Sequence, residues 1–287
     1  MDLATLVIFR TVAAQQGVTR AAQLLGRAPS NVTTRIQQLE EHLGVALFHR
    51  ERKRMILSDD GRLFMGYAER ILNLADEARQ RLNPAHPSGT LRVGSMDSTI
   101  AARLTTPLSE FARDWPDVDL HLTSGPTGDL LRSLHAQQID CALVAILPND
   151  DMAQDFELIE MFHEDLMLLL PADHPDVRGP ADLRLHRLAA FAPGCSYRAL
   201  AEEWMLADAG ATIRVQEVPS YHAMYGCTVA GACISVMPRS VAALMAQHGT
   251  VRQVPLAPVV TYLACRKGFD TAAFDAFRTY LAQTKNL

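Results

Sequence analysis

"AAQLLGRAPSNVTTRIQQLEEHLGVALFHRERKRMILSDDG", residues 21–61, decides how the rest of the chain is read. It opens with Ala21, Ala22 and Leu25 on one helical face, the end of a short helix over residues 18–26. "GRAPS" interrupts the pattern as a turn. A further helix is predicted from Ser30 to Leu43, because Val32, Ile36, Leu39 and Leu43 recur at helical spacing. Pro29 suits the start of that helix and Gly44 its end. "VALFHRERKRMILS" then reads as a β-hairpin with a charged tip. Upstream, residues 2–16 form another helical pattern (Leu3, Leu6, Val7, Phe9, Val12, Ala13) that stops at Gly17.

Helix, short helix, tight turn, third helix and basic hairpin together describe a winged helix-turn-helix. The third helix is the right size for a DNA major groove. Its start offers Ser30, Asn31, Thr33 and Thr34, short groups that reach base edges or phosphates, and Arg35 adds a longer charged arm. A helix N-terminus also favours phosphate. Arg50, Arg52, Lys53 and Arg54 of the wing would meet backbone or minor groove and make binding salt-dependent. Simple helix capping by Ser30 is the plain alternative. It leaves Thr33, Thr34 and the basic tip unexplained. The charge distribution agrees. Residues 18–54 carry seven Lys/Arg against three Glu, within a chain of net charge −5. A basic segment on an acidic body points to a polyanion at one end only.

From residue 59 to 82 a long helix is predicted, with Phe64, Tyr67, Ile71, Leu74 and Ala78 as a short heptad seam able to pair with a second copy. "NPAHPSG" reads as a hinge. Beyond Gly89, eight strand-length apolar runs are interleaved with helical segments, which indicates α/β architecture with mostly parallel sheet. The 287 residues suffice for two or three domains, and 48% apolar content supports real cores. No apolar run reaches membrane-span length, and the N-terminal residues lack signal-peptide features, so a cytoplasmic protein is expected. Five cysteines without CxxC spacing read as reduced thiols. There is no GxSxG, HExxH, Walker or GxGxxG motif, and the ten histidines lack metal spacing. An enzyme is not expected, nor a cofactor or metal. A transport-type solute-binding protein would not carry the N-terminal module.

The opening stretch resembles the N-terminal signature of LysR-type transcriptional regulators. It matches at the paired Ala21–Ala22, the polar run Ser30 to Thr33, Ile36–Leu39–Glu40, Leu43–Gly44–Leu47–Phe48–Arg50 and Leu57–Ser58–Gly61. It departs at Pro29, where the family often has Gln, so the operator cannot be carried over. The resemblance extends over the whole chain. It implies an α+β multidomain protein: a winged helix-turn-helix DNA-binding domain at 1–58, a linker and dimerisation helix with hinge at 59–88, and an effector domain at 89–287. That effector domain is shaped like a periplasmic binding protein, with α/β subdomain I at 90–163 and 266–287 and subdomain II at 164–265. "DLMLLLP" and "VTYLACR" would cross between the two.

A cleft between such subdomains binds small ligands where strands end and helices begin. "GSMDST" puts Ser95, Ser98 and Thr99 there, and "SGPTGD" adds Thr127. "PGCSYR" supplies Cys195, Ser196, Tyr197 and Arg198, and "SYHAMYG" adds Tyr221 and His222. Ordinary capping explains any one hydroxyl equally well. Arg198 argues for an acidic ligand group and Asp97 for an amine, unless the two pair with each other. The segments "PSNVTTRIQQLE", "CSYR" and "SYHAM" are also similar to a LysR-type subgroup linked to putrescine catabolism. In peroxide-sensing relatives a reactive cysteine sits in a loop like that of Cys195 and bonds a second cysteine shortly after; here none follows until Cys227. A redox sensor acting through Cys195 is thus the alternative reading. The resemblance further implies double-stranded operator DNA, a small-molecule effector, a dimer of dimers and RNA polymerase as partners, and no membrane.

Overall fold

The computed structural model describes all residues except 52–53, 83–85, 148–150, 208–211 and 284–287, with only the backbone at Arg50. The chain divides into two compact units, one holding the elements up to Leu82 and the other those from Gly89 onward.

The first unit runs α1 (Leu3–Gln15), α2 (Val18–Leu24), α3 (Pro29–Leu43), β1 (Phe48–Glu51), β2 (Arg54–Leu57) and α4 (Asp59–Leu82). Asp2 starts α1 as its N-cap, Oδ1 accepting from Thr5 N at 2.7 Å. Phe9 is fully buried, with its ring 5.3 Å from Phe48 and 5.1 Å from Phe64, so α1, the hairpin and α4 share one core. Ala21, Ala22, Val32, Ile36 and Leu39 complete it. Gly44 closes α3 at φ 71°, a left-handed conformation that a side chain resists. On α4, Phe64 packs into this core, while Tyr67 and Leu74 are 51% and 60% exposed and Ile71 and Ala78 are exposed too. An apolar row therefore faces away from the unit's own core.

The second unit is built on one eight-stranded sheet of β3 (Gly89–Ser95), β4 (Val118–Ser124), β5 (Cys141–Ala145), β6 (Phe156–Pro171), β7 (Arg187–Ala190), β8 (Arg214–Glu217), β9 (Ile234–Pro238) and β10 (Val251–Arg266), ordered β4-β3-β5-β10-β6-β9-β7-β8. Two parallel trios, β4-β3-β5 and β9-β7-β8, flank a central antiparallel pair. The sheet is therefore mixed, not mostly parallel. The central strands β6 and β10 are each 16 residues long and pair along their whole length. Thr261–Cys265 of β10 border β5 in the first lobe, and Leu166–Leu169 of β6 border β9 in the second. Both connections thus cross between lobes inside a single ribbon. Register shifts at Pro255/Ala257 and Thr261/Tyr262 bracket the crossing.

Helices cover both faces. In the first lobe, α5 (Asp97–Thr99) continues through a π-helical turn (Ile100–Leu104) into α6 (Thr105–Asp114), which packs on α11 (Ala272–Gln283) through Phe111 and Phe277, 5.5 Å apart. The opposite face carries α7 (Thr127–His135), buried through Leu130, Leu131 and Leu134. In the second lobe α8 (Ser196–Leu206) lies on one face, with α9 (Tyr221–Val229) and α10 (Arg239–Met245) on the other. Among the described residues no helix is long and apolar enough to cross a membrane.

Candidate DNA interface and effector cavity

The N-cap of α3 is Ala28, and Pro29 occupies the first turn. Ser30 therefore lies inside the helix and does not cap it. Burial of Val32, Ile36 and Leu39 turns Ser30, Asn31 and Thr34 outward into solvent. Thr33 is half-buried and its hydroxyl donates to Pro29 O at 3.0 Å. Arg35 pairs with Asp2 at 3.4 Å, an exposed contact that a phosphate can replace at little cost. Arg54 is exposed at the start of β2 and shares a polar groove of about 280 Å³ with residues 15–20. Thr19 and Arg20 of that groove were not singled out from the sequence; their signal is a polar start to α2. Arg52, Lys53 and the Arg50 side chain lie outside the described residues.

In the second unit, the starts of α5, α7, α8 and α9 converge between the lobes around a cavity of about 110 Å³. Ser98, Thr127, Cys195, Tyr197 and Tyr221 line it, together with Asp97 and Ser196. Met96, Pro126, Phe191 and Ala192, which sequence reasoning passed over, give it apolar walls. They sit beside the chosen hydroxyls in the same strand-to-helix junctions. The Ala145 carbonyl, at the end of β5, accepts from Ser196 Oγ at 2.7 Å and from Thr127 Oγ1 at 3.4 Å. Ser196 belongs to the second lobe, so this contact ties the lobes together.

Ser98 Oγ is buried and, among the described residues, makes no well-formed hydrogen bond, although two phenols approach it. It faces the phenols of Tyr197 and Tyr221 closely enough to favour their ionised forms slightly. Burial dominates at both and pushes both phenols well up, so they stay protonated and act as donors. Burial also raises the Cys195 thiol, against the opposing pull of the Arg198 and Tyr197 amides. Asp97, exposed at the mouth, is the one charged side chain in the lining.

Four expected residues lie outside this lining. Ser95 is fully buried and donates to Met96 O at 3.2 Å, and Thr99 is buried behind the cavity wall. Arg198 lies beside the cavity, its side chain only 14% exposed and against the same Cys195, Tyr197 and Tyr221: Nε meets Glu202 at 2.8 Å, and Nη1 meets Glu217 and the Phe191 carbonyl, both at 2.9 Å. It pairs with those carboxylates and not with Asp97. His222 is exposed, with its ring 5.7 Å from that of His248.

Residues 3–62 match the bacterial regulatory helix-turn-helix of the lysR family, and residues 84–286 match the LysR substrate binding domain. The chain belongs to the LysR family. It is 30% identical to the HTH-type transcriptional regulator GltR of Bacillus subtilis (strain 168), over 98% of this chain and 96% of the relative. It is 33% identical to the HTH-type transcriptional regulator YusT of the same strain, over 98% and 94%. Its fold is similar to that of full-length CbnR complexed with target DNA, with a TM-score of 0.68 at 23% identity over 99% of this chain and 100% of that one. Full-length OxyR from Pseudomonas aeruginosa gives a TM-score of 0.72 at 21% identity over 100% and 95%. As a LysR-type regulator the chain binds DNA, carries an effector-binding domain and is not an enzyme.

The LysR signature acquires physical reasons here. Glu40 Oε1 accepts from Leu47 N at 2.7 Å and Phe48 N at 3.1 Å, which fixes the first wing strand to α3. Ser58 Oγ donates to Ala46 O at 2.6 Å and accepts from Gly61 N at 2.9 Å, joining the wing to the start of α4. A Cβ at position 61 would lie 2.0 Å from Leu47 O, so the backbones can approach only over a glycine.

Proposed function

We propose that this regulator senses a small, largely apolar molecule carrying a single amine in the cavity between its effector lobes. The observation that carries this reading is the buried Ser98 hydroxyl, without a well-formed hydrogen bond among the described residues, in an apolar cavity with Asp97 at its mouth. Among the described residues the lining holds no cationic side chain, and Arg198 is committed to Glu202 and Glu217, so Asp97 is the formal charge that a ligand meets there. One carboxylate suits one ammonium group. A diamine such as putrescine would leave its second ammonium without a counter-ion.

In this reading Ser30, Asn31, Thr33, Thr34 and Arg35 meet the major groove, and Arg50, Arg52, Lys53 and Arg54 meet phosphates. The exposed row Tyr67, Ile71, Leu74 and Ala78 of α4 packs against a second copy, and two such dimers associate through their effector domains. Ligand binding favours one arrangement of the lobes and shifts the assembly on DNA only as far as its affinity differs between arrangements. RNA polymerase meets the assembly at the promoter.

Fluorescence anisotropy on the gene's own upstream DNA against scrambled duplex, over a salt series, tests the reading. Specific binding that weakens steeply with salt is expected. A short alkyl monoamine should shift the midpoint more than a diamine or a carboxylate does, and Asp97→Asn or Ser98→Ala should suppress that shift. Equal affinity for both duplexes in every condition would refute operator recognition. A response to carboxylates alone would refute the ligand class.

A further inference from the structure

We propose that Cys227 and Cys233 form an intramolecular disulfide when the protein meets a peroxide. Cys227 lies in the last turn of α9, and Cys233 immediately precedes β9. The turn between them folds back at Gly231, φ 74°, so that Cys227 O accepts from Ala232 N at 3.1 Å and from Cys233 N at 3.3 Å. The two cysteine backbones are thereby held side by side, as a disulfide requires. One further side chain reports on the sulfurs. Gln216, on the edge strand β8, donates through Nε2 to Cys227 Sγ at 3.6 Å, and its Oε1 accepts from Cys233 Sγ at 3.5 Å. A single amide group thus touches both thiols, which places the sulfurs next to each other. Cys233 also experiences Cys227 directly: burial pushes its thiol up first, and the neighbouring Cys227 pushes it further.

Access decides which cysteine pair reacts. Cys227 is half-buried and meets solvent, whereas Cys233 is fully buried behind it. Cys141 and Cys265 also sit opposite each other, as register partners across β5 and β10. Both are buried in the core of the first lobe, which raises both thiols, and no peroxide reaches them. Cys195 lies against two buried tyrosines with its own thiol raised. The reactive order is therefore Cys227 first and Cys233 second. The Cys227 thiolate attacks one peroxide oxygen and the O–O bond breaks. Hydroxide leaves and takes the thiol proton as water, giving a sulfenic acid on Cys227. Cys233 sulfur then attacks Cys227 sulfur. The S–S bond forms, the S–O bond breaks, and the second hydroxide leaves as water with the Cys233 proton. Two thiols are oxidised by two electrons, and one peroxide is reduced to two waters.

The experiment uses the full chain and hydrogen peroxide. Cleavage after arginine yields one peptide, residues 215–239, that contains Cys227 and Cys233 and no other cysteine. After peroxide treatment this peptide should be two hydrogens lighter without reductant and regain them with dithiothreitol. Cys233→Ser should stop at the sulfenic acid, captured on Cys227 by dimedone, and Cys227→Ser should leave Cys233 unmodified. The proposal is overturned by an unchanged wild-type peptide at a peroxide dose that fully oxidises free cysteine. It is equally overturned by added oxygen atoms on Cys227 without loss of hydrogens, or by a linkage that maps to Cys195.

Discussion

The outer face of α3 and the wall of the effector cavity use the same small polar residues under opposite conditions. Ser30, Asn31 and Thr34 stand in water, where removing one costs the fold almost nothing. Ser98, Thr127 and Ser196 are buried, where a hydroxyl needs a partner or destabilises the protein. Two of these three have a carbonyl partner, and the third has none. The contrast teaches that the exposed set acts only through a future contact, whereas the buried set already belongs to the fold. Only that third hydroxyl remains available for a ligand.

The strongest way to break this comparison is to damage the scaffold behind the exposed face. Gly61→Ala puts a Cβ against Leu47 O. Stability of the first unit should fall by about 3 kcal/mol, and operator binding should be lost with it, while calorimetry shows an unchanged transition for the effector unit. Asn31→Ala sharpens the comparison. Operator affinity should drop by about 1–3 kcal/mol, or roughly 5- to 150-fold, with a melting temperature equal to wild type; an equal loss of stability would show that the residue belongs to the core.

Ser196→Ala tests the buried side. The Ala145 carbonyl loses its shorter hydrogen bond, and thermal unfolding should report a loss of about 1 kcal/mol. The smallest effect is expected at Asp2. Its hydrogen bonds to the Thr5 hydroxyl and amide hold its carboxyl below the usual value of 3.8. The folded pKa is thus depressed, so its contribution is present above that value and is lost as pH falls through the lowered one. Asp2→Asn keeps a capping oxygen but removes this acid dependence, which melting curves on either side of pH 3.8 would register.

The first unit was readable because its determinants are local. Apolar spacing, Pro29 and Gly44 located α3 to within a residue, and the same spacing told which groups face outward. The cavity was readable in part, since strand-to-helix junctions mark candidate hydroxyls wherever they fall. The direction of Arg198 was not readable, because Glu217 reaches it from another strand. The crossing strands looked half their length, since Pro255 and Pro258 in β10 break the strand signal, a register shift accommodating Pro255 while Pro258 stays paired opposite Asp165. The adjacency of Cys227 and Cys233 depends on a turn and on Gln216 from a neighbouring strand, neither of which spacing alone reveals.

The paired strands β6 and β10 carry a mechanical consequence. Because both connections between the lobes run in one hydrogen-bonded ribbon, the lobes cannot separate on a loose tether. They can only turn relative to each other by winding or unwinding that ribbon, which behaves as a torsion bar. The bulges beside residues 256 and 261 and the missing N–H of Pro258 make its middle the most compliant segment. A ligand in the cavity then works against the twist of this ribbon as well as against the Ser196–Ala145 hydrogen bond that ties the lobes.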